Sequence, residues 1–370
     1  MRALIISRVY ADPANRGKLK ALGGLGVAVA AAVPERWLPP GLQSQQKTTW
    51  GDDGGVRMVP VPVRGRVAPD GDPDWSLRAL RRVLADFRPD LVQIEEEPWT
   101  RAAAAAARAA RKLRLPYVVL TRESIPLRRG LRARYRRSRV LATAAGLIGV
   151  NELALRLAAR NHPSLPQRTL PQLGVQPPPV AARTTHGGLA IGFYGRLIPE
   201  KGLDLLFRAA VKLLGRWTIT VVGTGPAQEE LEGLAERLGI AGRVTWLGSL
   251  PRAAVDGVWS RLDCVVAPSR TAPRWVEAAP RAALEAMARG LPVIASSSGA
   301  LPEMVGPGGT IVEEEDVTGL TDALQRFHDD PAERARLGAA GRQRIMDQFS
   351  DAAVAAGTLA FWTKITRATG

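Results

Sequence analysis

The sequence lacks several features that define familiar classes of protein. Cys264 is its single cysteine, so no internal disulfide can form and we expect a reducing compartment. No histidine lies near Cys264 in the sequence to activate its thiol, which predicts a buried structural side chain rather than a nucleophile. No apolar run reaches the roughly 20 residues that span a bilayer. The first strand is predicted at RALIIS, so no secretory signal is expected ahead of the fold.

Acidic residues are also scarce, but only in the first half of the chain. The sequence holds 51 Lys and Arg against 35 Asp and Glu, a net charge of +16. Residues 1–180 carry 30 of the basic residues and 14 of the acidic ones, whereas residues 181–370 carry 21 of each. A localised positive excess predicts an anionic partner, and lipid head groups, an anionic acceptor and nucleic acid are the candidates.

The densest basic run extends from Arg128 to Arg139, with apolar residues at near-helical spacing: Leu127, Leu131, Tyr135 and Val140. A basic amphipathic helix suits an anionic membrane surface, although a solvated helix face gives the same pattern. Nucleic acid is disfavoured, because no recognised binding motif or interleaved aromatic platform accompanies the charge. We therefore expect a cytoplasmic protein that can bind the inner face of the cell membrane peripherally and act on a lipid-linked acceptor.

The length and the order of apolar segments predict an α/β protein with two domains. Apolar strands alternate with helical patterns, most cleanly in the second half, which is typical of βαβ units around a parallel sheet. A proline-rich run, LPQLGVQPPPV at 170–180, is the predicted linker. The expected division is therefore 1–175, 176–350 and a final amphipathic helix within 351–370.

An aspartate cluster in the first half is a candidate metal site. Asp70, Asp72 and Asp74 show the Asp-x-Asp spacing of some metal-dependent sugar transferases. Asp74 is also a natural N-cap for the helix predicted in WSLRALRRVLADF, and the other two fit a solvated turn. We favour the cap and expect no metal.

Acids also follow two predicted strands of the first half. Glu95, Glu96 and Glu97 end the strand within 89–99, and Glu123 follows PYVVLT. Sites gather at the carboxyl ends of strands in doubly wound sheets, so these acids are candidates to face a cleft. A solvated strand end is the alternative for the three consecutive glutamates.

Two acids of the second half frame a predicted helix start. Glu277 and Glu285 stand eight positions apart, and Pro280 between them favours the first position of a helix that ends at Gly290. The segment Ala279-Pro280-Arg281 would then offer free backbone N–H groups and the positive end of a helix dipole to an anion. An ordinary amphipathic helix with two solvated acids explains the same spacing.

Two cations flank another predicted helix start. Arg196 and Lys201 lie five positions apart around one strand-to-helix loop, where they can converge on a diphosphate. Gly195 before them would let a ligand approach the backbone. Solvated side chains are the alternative for both cations. The GTGP turn at 223–226 follows the next strand, but it lacks the third glycine of a dinucleotide fingerprint and the Gly-Lys-Ser/Thr of a P-loop.

Four segments, in this order and spacing, resemble the retaining glycosyltransferases of family 4: GRLIPEKGLDLLFRAA, VVGTGP, VTWLG, and EAAPRAALEAMARGLPVIAS with GALPE. The resemblance is strong over about 190–310 and weak over the first half. It implies the GT-B fold, in which two Rossmann-like domains face a cleft and a final helix packs back on the first domain. It further implies retaining transfer of a sugar from a nucleotide-diphosphate sugar to a glycolipid, a lipid-linked saccharide or a polysaccharide precursor, with no cofactor.

The resemblance also implies a role for each matching residue: Arg196 and Lys201 on the donor diphosphate, Glu277 on the transferred sugar, Glu285 on the ribose hydroxyls, and the backbone near Leu247 and Gly248 at the nucleobase.

The chain departs from the family pattern at two places. Thr121-Arg122-Glu123 stands where the family's T-x-H often places a histidine, so Glu123 becomes a catalytic candidate. Asn15-Arg16-Gly17 replaces the family's glycine pair, which leaves Gly17 as a candidate contact for donor phosphate. The replaced histidine keeps open a non-catalytic nucleotide-sugar-binding or scaffold protein, and DGDPD keeps open a metal-dependent transferase.

Overall fold

The computed structural model describes residues 1–38, 45–64, 74–179, 187–250 and 252–369. The chain divides into two compact units. The first comprises Met1–Gly174 together with Asp351–Gly370, and the second comprises Val175–Ser350. The chain first passes from one unit to the other inside the proline-rich run at 170–180.

The described part of the first unit contains twelve strands: β1 (Arg2–Ile6), β2 (Ala28–Pro34), β3 (Arg36–Trp37), β4 (Gln46–Lys47), β5 (Gly51–Asp52), β6 (Val56–Val61), β7 (Val63–Arg64), β8 (Asp74–Trp75), β9 (Leu91–Ile94), β10 (Tyr117–Thr121), β11 (Gly146–Gly149) and β12 (Gln167–Thr169). Eight of them form one sheet in the order β12-β11-β10-β9-β1-β2-β6-β5. Its neighbouring strands are parallel, except that β5 runs antiparallel to β6.

The described residues before Val175 form five α-helices: α1 (Gly17–Gly24), α2 (Leu77–Phe87), α3 (Arg101–Lys112), α4 (Leu131–Ala142) and α5 (Glu152–Ala159). Successive residues of a strand point to opposite faces of its sheet, and β1 is buried on both. Leu4 and Ile6 join the core formed with α2 and α3, whereas Ala3 and Ile5 join the core formed with α1. Helices therefore cover both faces, as a parallel sheet requires.

The predicted N-cap of α2 is wrong by two residues. Asp74 lies in β8, where it pairs with Arg64 of β7, and Ser76 caps the helix by accepting the backbone N–H of Ala79 at 3.3 Å. Trp75 between them is buried, and this burial keeps the chain extended up to Ser76. Asp70 and Asp72 lie outside the described residues.

The second unit has six strands among its described residues: β13 (Leu189–Tyr194), β14 (Trp217–Val222), β15 (Val244–Trp246), β16 (Cys264–Ala267), β17 (Val293–Ser296) and β18 (Gly309–Val312). They form one parallel sheet in the order β15-β14-β13-β16-β17-β18. Its helices are α6 (Leu203–Ala210), α7 (Gln228–Arg237), α8 (Arg252–Trp259), α9 (Arg281–Ala288), α10 (Leu301–Val305), α11 (Val317–Asp329) and α12 (Pro331–Arg344). Cys264 is buried in β16, as predicted.

The last helix, α13 (Asp351–Thr369), belongs to the first unit. Trp362 on it is fully buried and donates its indole N–H to Gln93 Oε1 of β9 at 2.8 Å. Two glycines pack against Asp351, the first residue of this helix. A Cβ at Gly17 would lie 2.0 Å from Asp351 Oδ2, and a Cβ at Gly174 would lie 2.4 Å from Asp351 Cα. Within the described ranges, no helix has the length and apolar character needed to cross a membrane.

A buried ion pair joins α1 to the end of β9. Lys18 Nζ lies 2.7 Å from Glu95 Oε1, and both side chains are at most 1% exposed. Neutral donors from Tyr10, Gln93 and Gln172 complete the shell around the Glu95 carboxylate. Burial, together with Glu95, raises the pKa of Tyr10 well above its usual value, so the phenol remains a donor. The network lies inside the protein, so the alternative of a solvated strand end is wrong for Glu95.

We expect Lys18→Met to lower the free energy of unfolding by about 3–5 kcal/mol, because it leaves the Glu95 carboxylate buried without a cation. The double variant Lys18→Met/Glu95→Gln should recover much of this loss, since a neutral pair removes the uncompensated charge. Urea unfolding followed by tryptophan fluorescence measures both.

The matched control is Lys20→Met, on the same helix. Lys20 pairs with Asp53 at 2.6 Å with a side chain that is 45% exposed, so its loss should cost under about 1 kcal/mol. Equal losses for the two lysines would contradict the structural role of Lys18.

Candidate functional site

The parallel strands of the second unit end at one edge of their sheet, which brings distant residues together. β13 and β16 are neighbours in this sheet. The loop after β13 continues into one turn of 3-10 helix, Pro199–Lys201. Gly202 follows with a φ of +68°, and a Cβ there would lie 2.0 Å from the carbonyl oxygen of Pro268, just after β16. Only glycine fits this position, so the turn that carries Lys201 packs directly on the end of β16.

Lys201 and Glu277 form an ion pair at this edge, with 2.5 Å between Nζ and Oε2. Ser269, two residues after β16, donates its hydroxyl to the same Oε2 at 3.0 Å. Lys201 Nζ also lies 5.4 Å from the centre of the Trp275 ring, within cation–π range. The Glu277 side chain is 8% exposed and the Lys201 side chain 23%. Two residues predicted from separate motifs therefore meet, and part of the lysine stays open to solvent.

Ser269 and Trp275 were missed by the sequence reasoning. Ser269 lies two residues beyond β16, and its place at the carboxyl end of an apolar strand was the available signal. Trp275 lies in the loop between this strand and Glu277, and no sequence pattern marks it.

Arg196 lies on the loop between β13 and Lys201, with an exposed side chain. Its guanidinium makes no hydrogen bond or ion pair with any described residue, although its carbonyl accepts the Ile198 N–H at 3.0 Å. At Gly195, a Cβ would make ordinary contact with Lys201 Cδ at 3.8 Å, so packing within the described residues does not require glycine. The approach of a ligand to the Gly195 backbone stays a prediction.

The GTGP turn holds this loop in place. Gly223 has a φ of +132°, and a Cβ there would lie 1.9 Å from the Gly195 carbonyl oxygen. Leu197, two residues after Gly195, donates its N–H to the Thr224 carbonyl at 3.0 Å. The glycine therefore lets two backbone segments stack, which orients the loop that carries Arg196.

The helix predicted after Glu277 is confirmed. α9 spans Arg281–Ala288 with Pro280 as N-cap, and it ends two residues before Gly290. The first turn holds no acid, and no side chain among the described residues caps it, although the Arg281 N–H already donates to the Ala279 carbonyl at 2.8 Å and Pro280 has no N–H. Arg281 Nε lies 2.9 Å from Glu285 Oε1. Glu277 and Glu285 are each 6% exposed, so the alternative of two solvated acids is wrong.

The backbone at Leu247 and Gly248 follows β15 at the same edge. The Leu247 N–H donates to Val221, and the Gly248 carbonyl accepts from Gly223. The Leu247 carbonyl and the Gly248 N–H make no hydrogen bond with the described residues, which leaves one acceptor and one donor side by side.

Glu123 of the first unit is engaged by a cation. Arg129 Nη2 lies 3.0 Å from Glu123 Oε2, and the Arg129 guanidinium stacks 3.7 Å from the centre of the Trp99 ring. Glu97 accepts from Thr121 Oγ1 and from the Arg122 N–H, each at 2.8 Å. Glu97 and Arg129, from neighbouring loops, thus hold the segment Thr121-Arg122-Glu123, which stands at the position of the family's T-x-H.

Gly17 has a packing explanation. It is the first residue of α1, and the Asp351 carboxylate fills the space where its side chain would stand. A donor phosphate at this face of Gly17 would meet a carboxylate.

No group of three or more His, Cys, Asp or Glu residues in the described parts of the chain could hold a metal ion together.

The chain matches two families of glycosyltransferase domains. The family described as glycosyl transferase 4-like domain matches residues 14–171, and the family described as glycosyl transferases group 1 matches residues 183–344. A curated relative is the GDP-mannose-dependent alpha-(1-6)-phosphatidylinositol monomannoside mannosyltransferase of Mycolicibacterium smegmatis, 37% identical over 161 residues. This match spans 42% of the chain and 42% of the relative's own length.

Solved structures resemble the whole chain. Sucrose-phosphate synthase from Thermosynechococcus elongatus aligns with a TM-score of 0.73 at 20% identity, covering 100% of both chains. HepE from Anabaena, in complex with UDP and glucose, aligns with a TM-score of 0.70 at 17% identity, covering 98% of this chain and 100% of the other. At these identities the likeness concerns the fold, and it confirms the predicted α/β class of GT-B type with two Rossmann-like domains.

We expect Gly223→Ala to lower the free energy of unfolding of the second unit by about 2–5 kcal/mol. A side chain there requires an unfavourable positive φ and overlaps the Gly195 carbonyl. Thermal unfolding measures the loss. Gly242→Ala is the control, because no atom lies within 4 Å of its Cβ position, and a similar loss in both variants would contradict this account of the turn.

Proposed function

Since the chain belongs to the glycosyltransferases of the family 4 type, we propose that it transfers a sugar from a nucleotide-diphosphate sugar to a glycolipid-type acceptor, with retention and without a metal. The observation that carries the proposal is the Lys201–Glu277 pair, on the same loop as Arg196, whose side chain has no partner among the described residues. The M. smegmatis relative uses GDP-mannose and a phosphatidylinositol mannoside, so these are the first donor and acceptor to test.

The site supplies positive charge where the leaving group needs it. When the anomeric C–O bond breaks, the electron pair stays on the diphosphate. Arg196, Lys201 and the N–H groups in the first turn of α9, which no side chain of the described residues caps, would stabilise this charge without having to reorganise, and such stabilisation is the largest catalytic term in many enzymes. The acceptor hydroxyl forms the new C–O bond on the same face and passes its proton to a phosphate oxygen of the leaving nucleotide.

The acids serve the hydroxyl groups of the donor in this proposal. A donor phosphate competes with Glu277 for the Lys201 ammonium, which releases the Glu277 carboxylate to accept a hydrogen bond from the sugar. Glu285, already oriented by Arg281, accepts from the ribose hydroxyls. The free Leu247 carbonyl and Gly248 N–H match the acceptor-and-donor edge of a nucleobase. Glu123, held by Arg129, takes the place of the family's histidine.

We expect Lys201→Ala to lower turnover by about 10²- to 10³-fold, the usual effect of removing one charge-stabilising donor. A thermal-shift screen of nucleotide sugars first identifies the donor, because a ligand that binds the native state raises the unfolding midpoint. Transfer to acceptor is then measured with that donor.

Lys212→Ala is the matched control for Lys201→Ala, since Lys212 is an exposed lysine of the same unit. Turnover in the Lys201 variant close to that of the control would refute the assigned role. A donor that shifts the midpoint without any transfer or hydrolysis would favour a non-catalytic nucleotide-sugar-binding protein.

Activity should survive about 5–10 mM EDTA, an excess over contaminating metal, because fixed cations rather than Mg²⁺ neutralise the diphosphate. Transfer assays with and without the chelator decide this. A loss that added Mg²⁺ or Mn²⁺ restores would instead support a metal-dependent transferase.

A further inference from the structure

A basic groove of about 520 Å³ lies between α3 and α4 of the first unit. Five cationic side chains line it: Arg108, Arg111 and Lys112 from α3, and Arg136 and Arg139 from α4. Ala104 and Ala107 form its apolar floor, and their small side chains leave the space open. The groove thus combines residues of the predicted basic run with a second helix whose cations the sequence reasoning did not connect to it.

The charge of this groove is not neutralised by the protein. The 24 residues of α3 and α4 include nine Lys or Arg and no Asp or Glu. Arg108, Arg111, Lys112 and Arg139 form no side-chain ion pair with the described residues. Like charges on packed helices repel one another, so the arrangement costs folding energy that a bound anion would offset.

Two large side chains of α4 are unusually exposed beside the groove. Leu131 is 80% exposed and Tyr135, which also lines the groove, is 67% exposed. They lie four residues apart and therefore share one face of the helix. A small anion in solution would use the arginines but would leave these two side chains in water. A membrane surface accommodates both, because it offers phosphate groups above an apolar layer.

We propose that this groove binds the phosphate groups of anionic phospholipids, with Leu131 and Tyr135 inserted at the interface beside them. The choice of a lipid over other anions rests on the proposed glycolipid-type acceptor, which lies in a membrane. Docking through α3 and α4 then holds the first unit on the surface that contains the acceptor.

Vesicle flotation tests the proposal with the full chain, using phosphatidylcholine vesicles with and without about 30% phosphatidylglycerol at 0.1 M salt, near which the Debye length is roughly 10 Å. Wild-type protein should float only with the anionic vesicles. The variant Arg108→Gln/Arg111→Gln/Arg139→Gln should bind on the order of 10²-fold more weakly, since each basic residue near an anionic surface contributes about fivefold.

A second groove of the protein provides a matched control. Arg216, Arg243 and Arg261 line a groove of about 510 Å³ in the second unit. Changing these three to Gln removes the same charge, and binding should fall by less than about threefold if the α3–α4 groove is the site. Equal losses in the two triple variants would overturn the proposal in favour of general attraction by net charge.

The apolar contribution needs its own variant. Leu131→Ser/Tyr135→Ser keeps every cation, so its binding should be weaker than wild type and should vanish at 1 M salt, where the wild type retains a residual fraction. Both side chains are largely exposed, so this variant also remains informative if the arginine triple variant fails to fold.

Glycerol phosphate separates a lipid site from a site for small anions. If it raises the unfolding midpoint of the wild type but not of the arginine variant, while no vesicle binding occurs, the groove binds free phosphates and the lipid proposal is wrong. Flotation requires no turnover, so this result is distinguishable from a failure of the proposed transfer reaction.

Discussion

The contact between Lys201 and Glu277 depends on the parallel order of the second sheet. The two residues are 76 positions apart, and they meet because β13 and β16 are neighbours whose carboxyl ends share one edge. Gly202 allows the lysine turn to touch the end of β16, and Ser269 from that end fixes the glutamate. The loop of Arg196, the GTGP turn and the start of α9 are arranged around the same edge, so every element of the candidate site relies on this strand order.

Local signals in the sequence predicted the elements of this site well. Proline at a helix start and glycine after its end placed α9 correctly, since both act through the backbone of a few residues. The roles of Ser269 and Trp275 were out of reach, because they come from contacts across the sheet that no local pattern records. The cap of α2 failed for a related reason: the burial of Trp75 extended the chain past Asp74, and Ser76 took over. The strands and the fold class were therefore predictable, whereas the partners of individual side chains were not.

Arginine and lysine have three distinct uses in this chain. Lys18 is buried against Glu95 and serves the core, whereas Lys201 is paired with Glu277 and partly open to solvent. The arginines of α3 and α4 have no acidic partner on their own helices. Net charge alone does not separate these uses. Burial and the identity of the nearest acid do.

The placement of α13 sets the order in which the protein can be completed during synthesis. The second unit is one continuous segment, Val175–Ser350, so all of its strands have been synthesised when translation reaches Ser350. The core of the first unit includes the buried Trp362 of α13, although the strands of this unit are all synthesised before the second unit. The half of the protein that is translated first is thus the last to be finished. Until α13 emerges, Gln93 lacks its Trp362 partner, and the core around it lacks the part that α13 covers.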